Sequence, residues 1–152
     1  MTIEPTLYII MRKDLPDMNP GKAMAQAAHA QADFDLWAQT TIHRLVDLYK
    51  RDYLDQEQTD ALNAAEAISR WRGGRNFGRT LVLQADSVEL PIEADSYGIA
   101  SSVKEVIDPT YPYRNWYGDT FTMNTVTCWW MFVHNDSLQE ELEFVKIFPL
   151  HP

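Results

Sequence analysis

The sequence predicts a single α/β domain, and three observations carry that prediction. Short apolar, β-favouring runs alternate with stretches of helical periodicity in the order strand, helices, strand, strand, strand, helix. A chain of 152 residues suits one compact domain with a real core, here residues 1–152 without a linker, repeat or low-complexity segment. The hydrophobic share of 45% and charged share of 23% are ordinary for a globular protein.

The first element is the run Thr6–Met11, read as a buried strand. A polar loop follows and closes on a helix-start signal, with Asn19 as N-cap and Pro20 at the first helical position. The alanine-rich stretch from Gly21 to about Ala38 is the first helix. Ile42, Leu45, Val46, Leu48 and Tyr49 predict a second over 41–53, and Leu62, Ala65, Ile68 and Trp71 a third over 59–71. Whether these two are separate or one bent helix is left open by the Asp55-Gln56-Glu57 region. Gly73-Gly74 ends the helical region. Strands are then expected over 80–85, 101–107 and 125–133, before a short last helix capped by Asn135-Asp136, with Glu140 and Glu141 favoured in its first turn.

No apolar run is long enough to span a bilayer, the N-terminus lacks a secretory pattern, and the single Cys128 excludes an internal disulfide. These features predict a cytoplasmic protein with no membrane partner. Cys128 sits in an apolar strand and reads as core. The formal charge of -9 opposes a nucleic-acid partner, because phosphate neutralisation supplies most of such affinity. One local patch runs the other way: Arg70, Arg72, Arg75 and Arg79 fall within ten residues that hold no Asp or Glu. It reads as a solvated turn or as a phosphate contact.

On the first helix, Lys22, Gln26, His29 and Asp33 are separated by four, three and four residues and form one polar stripe. A cation in the first turn opposes the helix dipole at a cost of about 0.3–1 kcal/mol. Beside free backbone N–H groups, Lys22 makes an anion site suited to a phosphate or a developing oxyanion. His29 has no second ligand at a metal-binding spacing, and no Ser-His-Asp order or phosphate loop is present. The segment Tyr111-Pro112-Tyr113-Arg114-Asn115-Trp116-Tyr117 could stack unpaired bases or pack as a lid over the core.

The strand Leu7–Met11 running into Arg12-Lys13-Asp14-Leu15, followed by Met18-Asn-Pro-Gly-Lys-Ala-Met-Ala-Gln-Ala-Ala-His-Ala30, resembles the opening of the type II peptidyl-tRNA hydrolases. That family carries Arg-x-Asp-Leu and then Met-x-x-Gly-Lys-x-Ala-Ala-Gln-x-x-His-Ala. The segments Phe77–Gln84, Ile99–Asp108 and Asn124–Thr127 are similar to its later landmarks, in order. After Asp108 the family has Ala-Gly-x-Thr where this chain has Pro109-Thr110-Tyr111-Pro112, and the loop to the last strand is longer. The resemblance implies a four-stranded mixed sheet with helices on both faces, and hydrolysis of the ester joining a peptide to tRNA. It implies Lys22, Asp108 and Thr127 as the active trio, with Gln26 and His29 supporting them, and neither metal nor organic cofactor. On that reading Arg72, Arg75 and Arg79 would meet phosphates of a peptidyl-tRNA, and Tyr113 and Trp116 its bases. Monomer and homodimer both stay open. Two other functions fit the same residues: a non-catalytic RNA- or protein-binding module, and a hydrolase of a smaller acyl or aminoacyl ester.

Overall fold

A computed structural model describes residues 3–73 and 78–152. Four strands form one sheet in the order β2-β1-β4-β3. Strand β1 (Thr6–Arg12) lies inside it, parallel to β2 (Arg79–Ala85) and antiparallel to β4 (Thr120–Val133), which pairs antiparallel with β3 (Lys104–Arg114). The sheet is therefore mixed. Leu7, Ile9, Ile10 and Met11 are all buried, as a strand covered on both faces requires.

One face packs on α1 (Pro20–Leu48) and α2 (Gln56–Arg72). There Leu7, Ile9, Met11, Val106, Cys128 and Trp130 meet Ala23, Ala30, Phe34 and Ala38 of α1 and Ile68 and Trp71 of α2. Alanine at the contact positions lets α1 lie close to the sheet, and Phe34 fills the gap further along, edge-on to both Trp71 and Trp130. The opposite face packs on α3 (Leu90–Ser96) and α4 (Gln139–Lys146), through Leu83, Trp129, Met131 and Val133 against Leu90, Ala94 and Phe144. Helices thus cover both faces of the sheet. No described helix is long and apolar enough to cross a membrane.

Several boundaries differ from the sequence expectation. The expected second helix over 41–53 is the C-terminal half of α1, a continuous helix of 29 residues. Between Gly21 and Leu48 no Gly or Pro interrupts it, and Thr40 and Thr41 donate their hydroxyls back to the Leu36 and Trp37 carbonyls rather than breaking the ladder. Helix α2 starts at Gln56, three residues early, because Asp55 and Gln58 form a reciprocal capping box. Ser101 and Ser102 belong to a 3-10 turn (Ala100–Ser102), and β3 begins at Lys104. Asn135 and Asp136 do not cap α4. His134 and Ser137 close a turn on each other first, and the helix starts after Leu138 without a side-chain cap.

Gly78 takes φ +86° directly before β2, and a Cβ there would stand 2.2 Å from the Trp71 ring. The Trp71 indole N–H donates to the Arg79 carbonyl at 2.8 Å, so this glycine lets α2 and β2 lock together.

Candidate active site

The N-terminal end of α1 is set by the predicted cap: Asn19 accepts the Lys22 backbone N–H at 2.9 Å, with Pro20 in the first turn. From there the stripe winds along the helix over the C-terminal end of β1. Gln26 is 4% exposed and faces the β3–β4 pair. Its Nε2 donates to Asp108 Oδ2 at 2.7 Å, and its Oε1 accepts the Thr127 hydroxyl at 2.7 Å. A carboxylate only accepts, so the amide orientation is forced. His29 Nδ1 lies 3.2 Å from the same Gln26 Oε1 and must donate to it, which leaves the lone pair of neutral His29 on Nε2.

Two irregularities of the sheet create this convergence. The register steps from Val106 opposite Cys128 to Ile107 opposite Val126, so Thr127 is an extra residue on β4. A bulge turns two consecutive residues to one side. Thr127 reaches Gln26 Oε1 while Cys128 Sγ points at the Gln26 carbonyl, 3.6 Å away. The second shift lies between Asp108 and Tyr111, where Pro109 and Thr110 face a single residue of β4. Pro109 has no N–H to offer a ladder and fits a bulge. The Thr110 N–H, released from pairing, donates to Asp108 Oδ1 at 2.8 Å, and its hydroxyl donates at 3.0 Å.

Asp108 therefore accepts three hydrogen bonds. Burial pushes its carboxyl up, but the bonds from Thr110 and Gln26, together with the nearby His29, outweigh burial and hold it below the ordinary carboxylate range. The side chain stays ionised in neutral solution.

Lys22 is half-buried, with Nζ 5.6 Å from the centre of the Tyr111 ring. Tyr111 is fully buried and donates its hydroxyl to the Pro16 carbonyl at 2.8 Å, pinning the β1–α1 loop against the sheet. Lys22 is paired with no carboxylate among the described residues. Its charge is available to an incoming anion.

Asp33, the last member of the stripe, serves the core instead, accepting the Trp130 indole N–H at 2.7 Å. The arginines do not join the network. Arg72 sits 3.7 Å from Asp35, which is nine residues beyond Gln26 on α1 and about 13 Å along its axis. Arg79 pairs in register with Thr6 at the opposite end of β1, about 20 Å away, and lies 3.4 Å from Glu4. Arg75 lies outside the described residues.

The aromatic segment splits. Tyr111 and Tyr113 belong to β3, while Trp116 and Tyr117 sit exposed at the hairpin tip rather than packed as a lid. Tyr113 shares a hydrogen bond of 3.0 Å with the Thr125 hydroxyl.

Arg12 is a neighbour that a scan for isolated functional residues passes over. It grips Asp14 through two bonds, Nε to Oδ1 at 2.9 Å and Nη2 to Oδ2 at 2.7 Å, and donates Nη1 to the Val126 carbonyl at 2.9 Å. The Asp14 bond raises the guanidinium and lowers the carboxyl, fixing an ion pair beside the thread of β4 that carries Thr127. The signal for it was the Arg-x-Asp spacing before the loop.

Among the described residues, no three His, Cys, Asp or Glu side chains are grouped to hold a metal ion. A cleft of about 470 Å³ opens elsewhere, between the distal half of α1 and the start of α4, with Trp37, Trp130, His134 and Glu141 in its walls. None of Lys22, Gln26, His29, Asp108 or Thr127 lines it. Within the network Gln26, Asp108 and Thr127 are buried, while Lys22 is half-buried and His29 is exposed. No family model matches this sequence, and no curated protein matches it.

Proposed function

We propose that this protein hydrolyses the ester between a peptidyl (N-acyl-aminoacyl) group and the 3′-terminal ribose of tRNA, as a diverged member of the type II peptidyl-tRNA hydrolases. One observation supports the reading above the others. Gln26, which shares a helix face with Lys22 and His29, bridges Asp108 and Thr127, 82 and 101 positions away, and the resemblance names all three.

In this reaction a water oxygen bonds to the ester carbonyl carbon and the bond to the ribose oxygen breaks; one water proton ends on that oxygen and the other is released to solvent as the peptide leaves as a carboxylate. A carboxylate held below its ordinary range is a weak proton acceptor. Asp108 therefore orients the water through the one acceptor site left on Oδ2. His29, with Nδ1 committed to Gln26, offers Nε2 to the water or to a ribose hydroxyl. Lys22 supplies positive charge to the oxyanion or to the adjacent phosphate. Gln26 and Thr127 are buried and act as positioning residues: the Thr127 hydroxyl fixes the amide, and the amide fixes Asp108.

The test is peptide release from a purified N-acyl-aminoacyl-tRNA by wild type and Lys22→Ala. Collapse of turnover in the folded variant supports both the reaction and the site. Turnover that survives keeps the reaction and removes the site. A folded wild type without turnover on tRNA sinks the reading. A second reading, a smaller acyl or aminoacyl ester as substrate, is favoured by the chain's charge of -9 and by the pairing of Arg72 and Arg79 with Asp35 and Glu4. Turnover of an N-acyl-aminoacyl-adenosine at the same rate as the tRNA ester would select it.

A further inference from the structure

Past the end of β1, β3 and β4 leave the sheet and continue as a two-stranded arm, since β1 pairs with β4 only up to Cys128 while the β3–β4 pairing runs on to Arg114 and Thr120. One face of this arm continues the site. Asp108 opposes Thr125, Tyr111 opposes Met123, and Tyr113 opposes Phe121. Tyr113 and Phe121 lie nearly parallel, 22° apart with centroids at 5.8 Å, and Tyr113 stands edge-on to Tyr111 at 5.4 Å. At the tip Asn115 accepts the N–H groups of Tyr117 and Asp119, and Gly118 at φ +86° completes the turn. That rigid turn holds Trp116 fully in solvent (102%) with Tyr117 beside it (91%). Two large rings so exposed contribute nothing to the core.

The geometry points to this arm as a base-stacking platform for the unpaired 3′ end of an RNA, laid from Trp116 toward Asp108. This deepens the reading given under Proposed function and rests on it for the direction in which the strand runs. Three features select single-stranded RNA. From Pro109 to Asn124 the arm carries one Arg and one Asp, so it is neutral in a chain of charge -9, and phosphates are not repelled there. Stacking on aromatic faces takes only bases that are free of a duplex, whatever their sequence. The span from Asp108 to the tip is about 20 Å, room for several bases at a stacked repeat of about 3.4 Å. A protein strand adding to the outer edge of β3 is the competing occupant. Pro109 and Pro112 remove two backbone donors from that edge and blunt it against strand addition.

The experiment is equilibrium binding of a dye-labelled, single-stranded RNA ending in cytidine-cytidine-adenosine, carrying no acyl group. Wild type is compared with Trp116→Ala/Tyr117→Ala and with Trp116→Phe/Tyr117→Phe, with equal thermal midpoints confirming intact folds. The expected result is binding by wild type with a shallow salt dependence, a loss of about tenfold or more in the alanine variant, and retention in the phenylalanine variant. No binding by wild type, equal binding by the alanine variant, or equal affinity for the same sequence in a duplex each overturns the platform. Because this RNA has no ester, the outcome is independent of hydrolysis. The arm can fail while Lys22-dependent turnover stands, and the reverse.

Discussion

Replacing Gln26 by Glu is a near-isosteric change that inverts one hydrogen bond, and its consequence can be worked from the geometry. In the native protein the amide Nε2 donates to Asp108 Oδ2 at 2.7 Å. Gln26→Glu puts a second acceptor in that place, at a position 4% exposed. The lost bond to a charged group is worth about 1.5–3 kcal/mol. Two like charges about 4 Å apart would add about 4 kcal/mol at an effective dielectric of 20. The pair avoids most of this by sharing one proton, which raises one folded-state pKa above the unfolded value. The variant is expected to be about 2–4 kcal/mol less stable than wild type at neutral pH.

The two proteins should respond to pH with opposite slopes. In wild type the Asp108 carboxyl lies below its unfolded value of 3.8, so its stabilisation is present above that value and is lost as pH falls through the folded pKa. In Gln26→Glu the shared carboxyl lies above the unfolded values, so stability is present in acid and is lost as pH rises through the raised pKa. Urea midpoints measured from about pH 2.5 to 7.5, a range that takes in the acid side of the unfolded carboxylate values as well as neutrality, read this directly. Gln26→Leu, which removes the bond without adding a charge, is the control and should stay destabilised without recovery in acid. A Gln26→Glu profile parallel to wild type would refute the buried bridge between Gln26 and Asp108.

Gly78→Ala should cost about 3 kcal/mol or more, combining a left-handed non-glycine residue with overpacking against Trp71, 2.2 Å from the new Cβ. A denaturation shift under about 1 kcal/mol would show that the Trp71 contact yields. Burial lowers the buried His134 below its unfolded value of 6.5, against the raising pull of Asp136 and Glu141. The unfolded chain then binds the proton first, so stability is full above 6.5 and declines as pH falls below it. Thermal midpoints of His134→Gln should be flatter across that window, and an unchanged profile counts against the assignment. Burial pushes the Cys128 thiol up to about 12. An aromatic disulfide reagent should therefore label it only as fast as the native protein opens, and prompt labelling without denaturant would contradict the packing of β4 on α1.

The strands, the helix cap and the four-three-four stripe were legible because each follows from local spacing: Asn19-Pro20 starts α1, and Gln26 and His29 share a face by helical geometry alone. What was not legible depends on pairing between distant segments. Nothing in Asn124-Thr125-Val126-Thr127 says which threonine turns toward α1. Simple alternation from the Asp108–Thr125 pair would place both on one face and carry Cys128 to the other. The extra residue at Thr127 instead sets Thr127 and Cys128 on the same side, and only the register with Val106 and Ile107 reveals it. The Tyr111 ring beneath Lys22 and the separation of Arg79 from Asp108 are likewise facts of topology. The bulge also gives the two threonines different partners. Thr127 holds Gln26 and through it Asp108, whereas Thr125 holds Tyr113 at the root of the arm. One irregularity in β4 thus separates the anchor of the polar network from the anchor of the aromatic face that leads away from it, so Thr127→Val should disturb Gln26 while leaving the Tyr113 contact in place.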